Sequence, residues 1–290
     1  MSLSPLPFKL IFVTGSMRSG TSLLHRLIST SPDAGERLAP ARYIMDFIQL
    51  FHTYSNSESA FVSDYAKSNA DFLAVTRQFV TDRLHDAWLH SGKPACLVLR
   101  TVEVAPTLPL VARLLPEAKF AVSVREPKDV IASILKVGEK QRKFWPRRET
   151  LASSKNLSRM CRTYNRAYLA TVRTQRSDEA LRKRIVFVRY EDAVADPAGA
   201  LRDLWRRFDI APGSTILTAD SAKRTSIRQI MLHKYWRSYK TDLSEAPISA
   251  ASIGSHKSAL KASEIWAINW RCRILRRLFQ YSGGGGSLEI

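Results

Sequence analysis

The sequence predicts an α/β fold of three layers with a central parallel sheet, and three observations carry that prediction. Four short β-rich runs, residues 10–13, 96–99, 120–124 and 185–188, are apolar on consecutive positions and bounded by charges, Gly or Pro. That is the pattern of strands buried on both faces. Helical patterns lie between the runs, so the chain reads as βα units with ligands at the carboxyl ends of the strands. Residues 10–28, LIFVTGSMRSGTSLLHRLI, pass from strand through a glycine-bounded loop into helix. This is the layout of a phosphate cradle, in which backbone N–H groups and a helix N-terminus point at an anion.

In the first unit the loop is Gly15-Ser16-Met17-Arg18-Ser19-Gly20-Thr21-Ser22. Its spacing is that of the triphosphate loop G-x-x-x-x-G-K-[ST], but Thr21 stands where Lys is required. The positive charge sits within the loop, at Arg18. Such a loop is a poor site for a triphosphate with Mg²⁺ and can still hold a phosphate ester.

Residues 42–90 read as a helical insertion. Phe72, Val75, Phe79, Val80, Leu84 and Trp88 recur at three and four, as one core-facing stripe does. A short helix is expected over 106–115, before the third strand. Beyond that strand, Arg125-Glu-Pro127-Lys-Asp129 opens a helix. Pro127 suits its first turn and Asp129 complements its dipole. Residues 136–149, KVGEKQRKFWPRRE, read as an irregular basic and aromatic surface loop around Phe144-Trp145-Pro146. A helix is expected over 152–176. Asp196-Pro197 marks another helix start, with Leu201, Leu204, Trp205 and Phe208 on one face. Residues 253–260 read as a loop. A terminal helix then buries Ile265, Ile268, Cys272, Leu275 and Phe279 and presents Arg271, Arg273, Arg276 and Arg277 to solvent. The tail, 282–290, is similar to a flexible linker scar or tag remnant and is set apart from a single domain spanning 1–281.

The 290 residues are 45% hydrophobic, enough for a full core, and carry a net charge of +19. That excess predicts anionic partners. Cys96, Cys161 and Cys272 give no C-x-x-C or metal spacing, and an odd count makes no disulfide framework, which fits a reducing compartment. No run of 18 apolar residues and no signal peptide is evident.

Together these motifs make the chain resemble the PAPS-dependent sulfotransferases, which move a sulfuryl group from 3′-phosphoadenosine 5′-phosphosulfate to an acceptor. The loop Gly15 to Ser22 is similar to the family's 5′-phosphosulfate loop. Arg125 through Ser133 is similar to its 3′-phosphate motif. Val188-Arg-Tyr190-Glu191-Asp192, followed by Asp196-Pro197, is similar to the strand whose Tyr touches adenine. Gly254-Ser255-His256-Lys257 stands where a late loop closes on the 3′-phosphate. The resemblance covers about residues 8–281 and implies a P-loop-type core that binds PAPS and releases adenosine 3′,5′-bisphosphate, without a metal.

The residues suit that chemistry. Two anions on one nucleotide need two basic sites. Arg18 with the loop N–H groups, Ser16, Ser19, Thr21 and Ser22 makes one; Arg125 with the Ser133 hydroxyl makes the other. Sulfuryl transfer is an in-line displacement, so catalysis is mostly positioning and charge stabilisation. Removing Arg18 is expected to cost ~3 kcal/mol of transition-state stabilisation, about 10²-fold in rate. For the general base, relatives place a His after a Lys-Thr pair; here Arg100-Thr101-Val102-Glu103 has none. Other branches use a Glu after the first helix, where Glu36 stands. Glu36 ranks first, Glu103 second and His52 third.

Two other readings compete. A P-loop nucleotide or small-molecule kinase lacks its lysine. A nucleic-acid-binding protein fits the charge but lacks a recognisable motif. The acceptor is expected to be a small molecule, a carbohydrate or a lipid, with membrane-surface association a further option, no specific nucleic acid, and oligomeric state open. Segments 42–90, 136–149 and 228–252 would line its site. Arg- and Ala-rich usage points to a bacterial, cytoplasmic protein, a lost membrane anchor being left open.

Overall fold

The computed structural model describes residues 5–55, 66–144, 150–214 and 248–281. Four parallel strands, β1 (Lys9–Gly15), β2 (Cys96–Arg100), β3 (Lys119–Val124) and β4 (Ile185–Arg189), form a sheet in the order β2-β1-β3-β4. All four coincide with the expected runs to within two residues. The consecutive apolar positions divide between two faces, as a strand's two-residue period requires. Leu10, Phe12, Leu97, Leu99, Phe120 and Val122 enter one core, and Ile11, Val13, Val98, Ala121, Val186 and Val188 enter the other. Two cores on one sheet make three layers.

The smaller core is covered by α1 (Thr21–Ile28), which contributes Leu24, Leu27 and Ile28. The insertion supplies α2 (Arg42–Ser55) and α3 (Asn69–His90), which stack Phe47 on Phe79 at 3.9 Å and pack on the larger core. Within α3 the buried positions are Thr76, Val80 and Leu84. Val75, expected inside, is 61% exposed, because the buried stripe runs one position further along.

A 3₁₀ turn (Val102–Thr107) and α4 (Leu108–Leu114) lead from β2 to β3. Next, α5 spans Pro127–Phe144. Residues 136–144, expected to be irregular, therefore continue a helix. Their charges lie on its outer side, which disguised the helical period. Residues 145–149 fall outside the described residues. Then come α6 (Leu157–Ser177), a short α7 (Glu179–Lys183), α8 (Tyr190–Ala195) and α9 (Pro197–Phe208). Asp196 caps α9 by accepting from the Gly199 N–H at 3.0 Å, and α9 buries the four expected apolar residues in the smaller core. At the end lie a 3₁₀ turn (Ala250–Ser252), α10 (His256–Ala259), α11 (Ala262–Arg271) and α12 (Arg273–Leu278). The expected single terminal helix is thus two, meeting at Cys272. Residues 228–247 and 282–290 lie outside the described residues. Among the described residues no helix is long and apolar enough to cross a membrane.

Strand register sets the level of the site. Gly15 pairs with Ser123, Val13 with Arg100 and Val124 with Arg189. The carboxyl tips of all four strands therefore form one rim.

Behind the loop, α1 buries His25 against β2, with Nε2 3.3 Å from the Val98 carbonyl. Burial first, then the Arg100 and Arg37 guanidiniums, lower its pKa to about 3. Below the ordinary value of 6.5 the unfolded chain gains a proton that the folded chain refuses. Stability should therefore fall by about 1.4 kcal/mol per pH unit from near pH 6.5 toward pH 3 through this group. Urea unfolding of the protein and of His25→Gln across that range reads the difference in slope.

Candidate active site

The loop between β1 and α1 is held in a shape that ordinary residues resist. Gly15 and Gly20 have φ of 145° and 102°, and Arg18 has φ of 69°, unusual for a side-chain-bearing residue. A Cβ on Gly20 would meet Tyr190 Cδ2 at 2.4 Å, and one on Gly15 would meet the Ser123 carbonyl at 2.3 Å. Both glycines let neighbouring strand tips close on the loop. Gly20 caps α1 without a side-chain bond. The first-turn N–H groups of that helix thus receive no capping side chain and face the loop's concavity.

Two residues outside the motif clamp the loop. Tyr168, wholly buried on α6, accepts from the Ser16 N–H at 2.9 Å and donates to the Ser123 carbonyl at 2.9 Å. Ser123 in turn donates to the Ser19 carbonyl at 2.7 Å. The Ser16 N–H is therefore committed to Tyr168 and does not point at a ligand, as the sequence had suggested for the loop as a whole. Thr21 is buried and Ser22 exposed at the start of α1.

Arg125 extends from the tip of β3 and is 5% exposed. Its Nη1 donates to the Arg18 carbonyl at 3.5 Å and its Nη2 to the Ser252 carbonyl. The guanidinium lies over the Tyr190 ring at 4.4 Å. Its Nε is buried and has no hydrogen-bond partner among the described residues. Tyr190 is fixed by a 2.7 Å hydrogen bond between its hydroxyl and Ser252 Oγ, and one face of its ring is taken by Arg125.

Ser133 corrects one expectation. Its hydroxyl accepts from Arg18 Nε at 3.1 Å and is not bonded to Arg125. The loop and the β3 motif are therefore joined directly, Arg18 reaching Ser133 across the rim. Burial first, and then the Arg125 charge, lower the pKa of Arg18. Two guanidiniums close together in a poorly solvated rim repel each other.

The late segment reaches the same rim with its polar groups turned inward. Asp129 accepts from the Gly254 N–H at 2.8 Å, the His256 N–H at 3.0 Å, His256 Nδ1 at 2.7 Å and Ser255 Oγ at 3.4 Å. Burial works against the Asp129 carboxylate, but the His256 and Gly254 hydrogen bonds outweigh it and hold its pKa below the ordinary value. His256 and Ser255 are thus engaged with Asp129, where the sequence placed them on a phosphate; Lys257 is exposed. Behind them, Glu126 pairs with Arg276 Nε at 3.1 Å, so Arg276 is not part of a solvated basic face. Glu191, its pKa raised by burial, accepts from the Glu126 N–H at 3.1 Å and the Tyr281 hydroxyl at 2.8 Å.

The two leading base candidates separate. Glu36 is exposed, and the preceding Gly35 N–H bonds to the carbonyl of Cys96, at the amino end of β2. No hydrogen bond or ion pair joins Glu36 to a described residue of the rim. Glu103 lies just beyond the tip of β2, where its Oε2 accepts from Thr101 Oγ1 at 2.5 Å and its charge supports the half-buried Arg100. The Thr101 N–H bonds to the Val13 carbonyl of β1 at 3.0 Å, so Glu103 stands on the rim that carries the loop.

The sequence missed Tyr168, Ser123 and Ser252. A serine at a strand tip beside Gly15 was a readable signal for Ser123. A tyrosine on the buried face of an amphipathic helix gave none for Tyr168.

The sequence profile described as the sulfotransferase family matches residues 10–212, which contain the loop, the β3 motif and Tyr190. The chain belongs to the sulfotransferase family. It is an enzyme of sulfuryl transfer built on the P-loop-like α/β fold. Among solved structures, a sulfotransferase domain from the curacin biosynthetic pathway superposes with a TM-score of 0.58 at 16% identity, covering 93% of this chain and 99% of that one. Mouse sulfotransferase SULT7A1 complexed with PAP gives 0.54 at 16% identity, covering 95% and 89%. Sulfotransferase STF9 from Mycobacterium avium gives 0.51 at 12%, covering 94% and 77%. These likenesses define the fold. No curated protein sequence matches the chain significantly.

Tyr168→Phe removes one hydroxyl that serves two buried backbone groups. It should lower stability by about 1–3 kcal/mol. Chemical denaturation should show this as a lower midpoint at unchanged slope.

Proposed function

We propose that this sulfotransferase takes its sulfuryl group from PAPS and delivers it to a hydroxyl or amine of a small-molecule, carbohydrate or lipid acceptor. The observation that carries the reading is the contact of Arg125 with the Arg18 loop, which gathers two cations at neighbouring strand tips. The residues fit a nucleotide with anions on both its 3′ and 5′ positions. The uncapped start of α1 offers backbone donors, and the unpartnered Nε of buried Arg125 offers another. A PAP-bound relative of the same fold supports the choice of nucleotide.

PAPS supplies an activated sulfuryl group whose leaving phosphate gains charge as the bond breaks. Arg18 and the N–H groups of Thr21 and Ser22 hold the 5′ end and stabilise that charge. Arg125 holds the 3′-phosphate, with the Ser133 hydroxyl within reach through Arg18. Ser255 and His256 keep the late segment closed over this site through Asp129, and Lys257 lies at its outer edge. Tyr190 orients Arg125 and closes on Gly20. For the proton of the acceptor, Glu103 replaces Glu36 as the leading base. It lies on the rim, and the Thr101 hydroxyl keeps it oriented.

Thermal unfolding with adenosine 3′,5′-bisphosphate and with ATP–Mg²⁺ tests the nucleotide. The bisphosphate at 100 times its Kd should stabilise the protein by about 2.7 kcal/mol, and Arg125→Ala should abolish the gain. Stabilisation by ATP–Mg²⁺ alone would favour the kinase reading. With labelled PAPS and pooled acceptors, Glu103→Gln should lower turnover about 10²-fold while leaving bisphosphate binding intact. Full turnover in that variant would remove Glu103 as the base.

A further inference from the structure

Away from the rim, α11 and α12 leave an unusual face uncovered by the described residues. Trp266 and Trp270 are 69% and 59% exposed, and Ile274 is 55% exposed. Trp266 and Trp270, four residues apart, lie on one side of α11, and Ile274 follows at the start of α12. The two indoles lie parallel within 4° at 6.3 Å, and the Arg273 guanidinium sits over Trp270 at 4.5 Å. Exposed large apolar groups gathered in this way mark an interaction surface.

The charge around them is one-sided. An open groove of about 250 Å³ joins Trp270, Arg271 and Arg273 to Ser158, Arg162 and Asn165 of α6. The Asn165 amide donates to the Arg271 carbonyl at 2.9 Å and fixes the two elements together. Arg159, Arg162, Arg166, Arg173 and Arg176 of α6 are all exposed, and that helix carries no Asp or Glu. From 262 to 281 the single acid is Glu264, which caps α11.

We infer that this face docks on the surface of an anionic lipid bilayer. Indoles and an isoleucine suit the headgroup layer, where an apolar body and a polar edge are both satisfied. Arginines beside them reach lipid phosphates while their stems stay against apolar groups. Helices this short lie along the interface and do not span it. A single-stranded nucleic acid fits less well. Its bases need free ring faces, whereas these indoles face each other and Arg273 covers Trp270. The inference does not depend on which nucleotide or acceptor the rim takes.

Co-sedimentation of the full chain with phosphatidylcholine vesicles, with and without phosphatidylglycerol, tests it. The protein should bind the anionic vesicles, release them as salt rises, and leave the neutral ones in solution. Trp266→Ala with Trp270→Ala should weaken that binding about tenfold, with thermal unfolding and bisphosphate stabilisation unchanged. Arg162→Glu with Arg166→Glu tests the charge alone and should also lose the vesicles. Equal binding to both vesicle types, or anionic binding untouched by either pair of substitutions, would overturn the proposal. So would substitutions that weaken binding of a single-stranded oligonucleotide and not of vesicles.

Discussion

The structure of the site depends on one buried guanidinium. Arg125 leaves the tip of β3 and is held by the carbonyls of Arg18 and Ser252 and by the face of Tyr190. Each contact recruits a different part of the chain: the first loop, the late segment and the end of β4. Burying a cation is costly unless its hydrogen bonds are met. Here carbonyls meet two of its nitrogens and leave Nε open among the described residues. The second cation, Arg18, is forced close by the loop's left-handed turn and feels both burial and the Arg125 charge. In the proposed reading this rim is where the charge of the nucleotide is stabilised.

The parallel sheet makes such crowding possible. Its register brings Gly15, Ser123, Arg125 and Tyr190 to one level, since all four strands end in the same direction. Small residues then let these tips approach. Without Gly20, Tyr190 could not lie against the loop, and without Gly15 the Ser123 carbonyl would collide with it. Tyr168 and Ser123 supply what local sequence cannot, a floor that fixes the loop from beneath. A fixed loop matters because positioning and charge do most of the work in a displacement at sulfur.

Much of this was legible in the residues. Strands buried on both faces announce themselves as unbroken apolar runs, which is why all four were found nearly to the residue. The loop was legible because glycine spacing and a misplaced cation are local features. Helix α5 was misread beyond residue 136, since its polar outer face hides the period that identifies a helix. The late segment was located but its polar groups were misdirected. Asp129 looked complete as a partner for a helix dipole, and only the tertiary fold shows that it also binds 254–256. The contact of Ser133 with Arg18 was missed for the same reason, as pairings across 115 residues leave no local trace. The sequence ranked Glu36 above Glu103 because it does not show which end of β2 each one occupies.

We propose that Arg18 and Arg125 grip the two anions of one nucleotide as coupled parts of one rim. Calorimetric titration of adenosine 3′,5′-bisphosphate into the protein, Arg18→Gln, Arg125→Gln and the double variant measures this directly. A shared site predicts that the two losses do not add, with a coupling of about 1 kcal/mol or more. Strictly additive losses, or an affinity unmoved by either substitution, would contradict it.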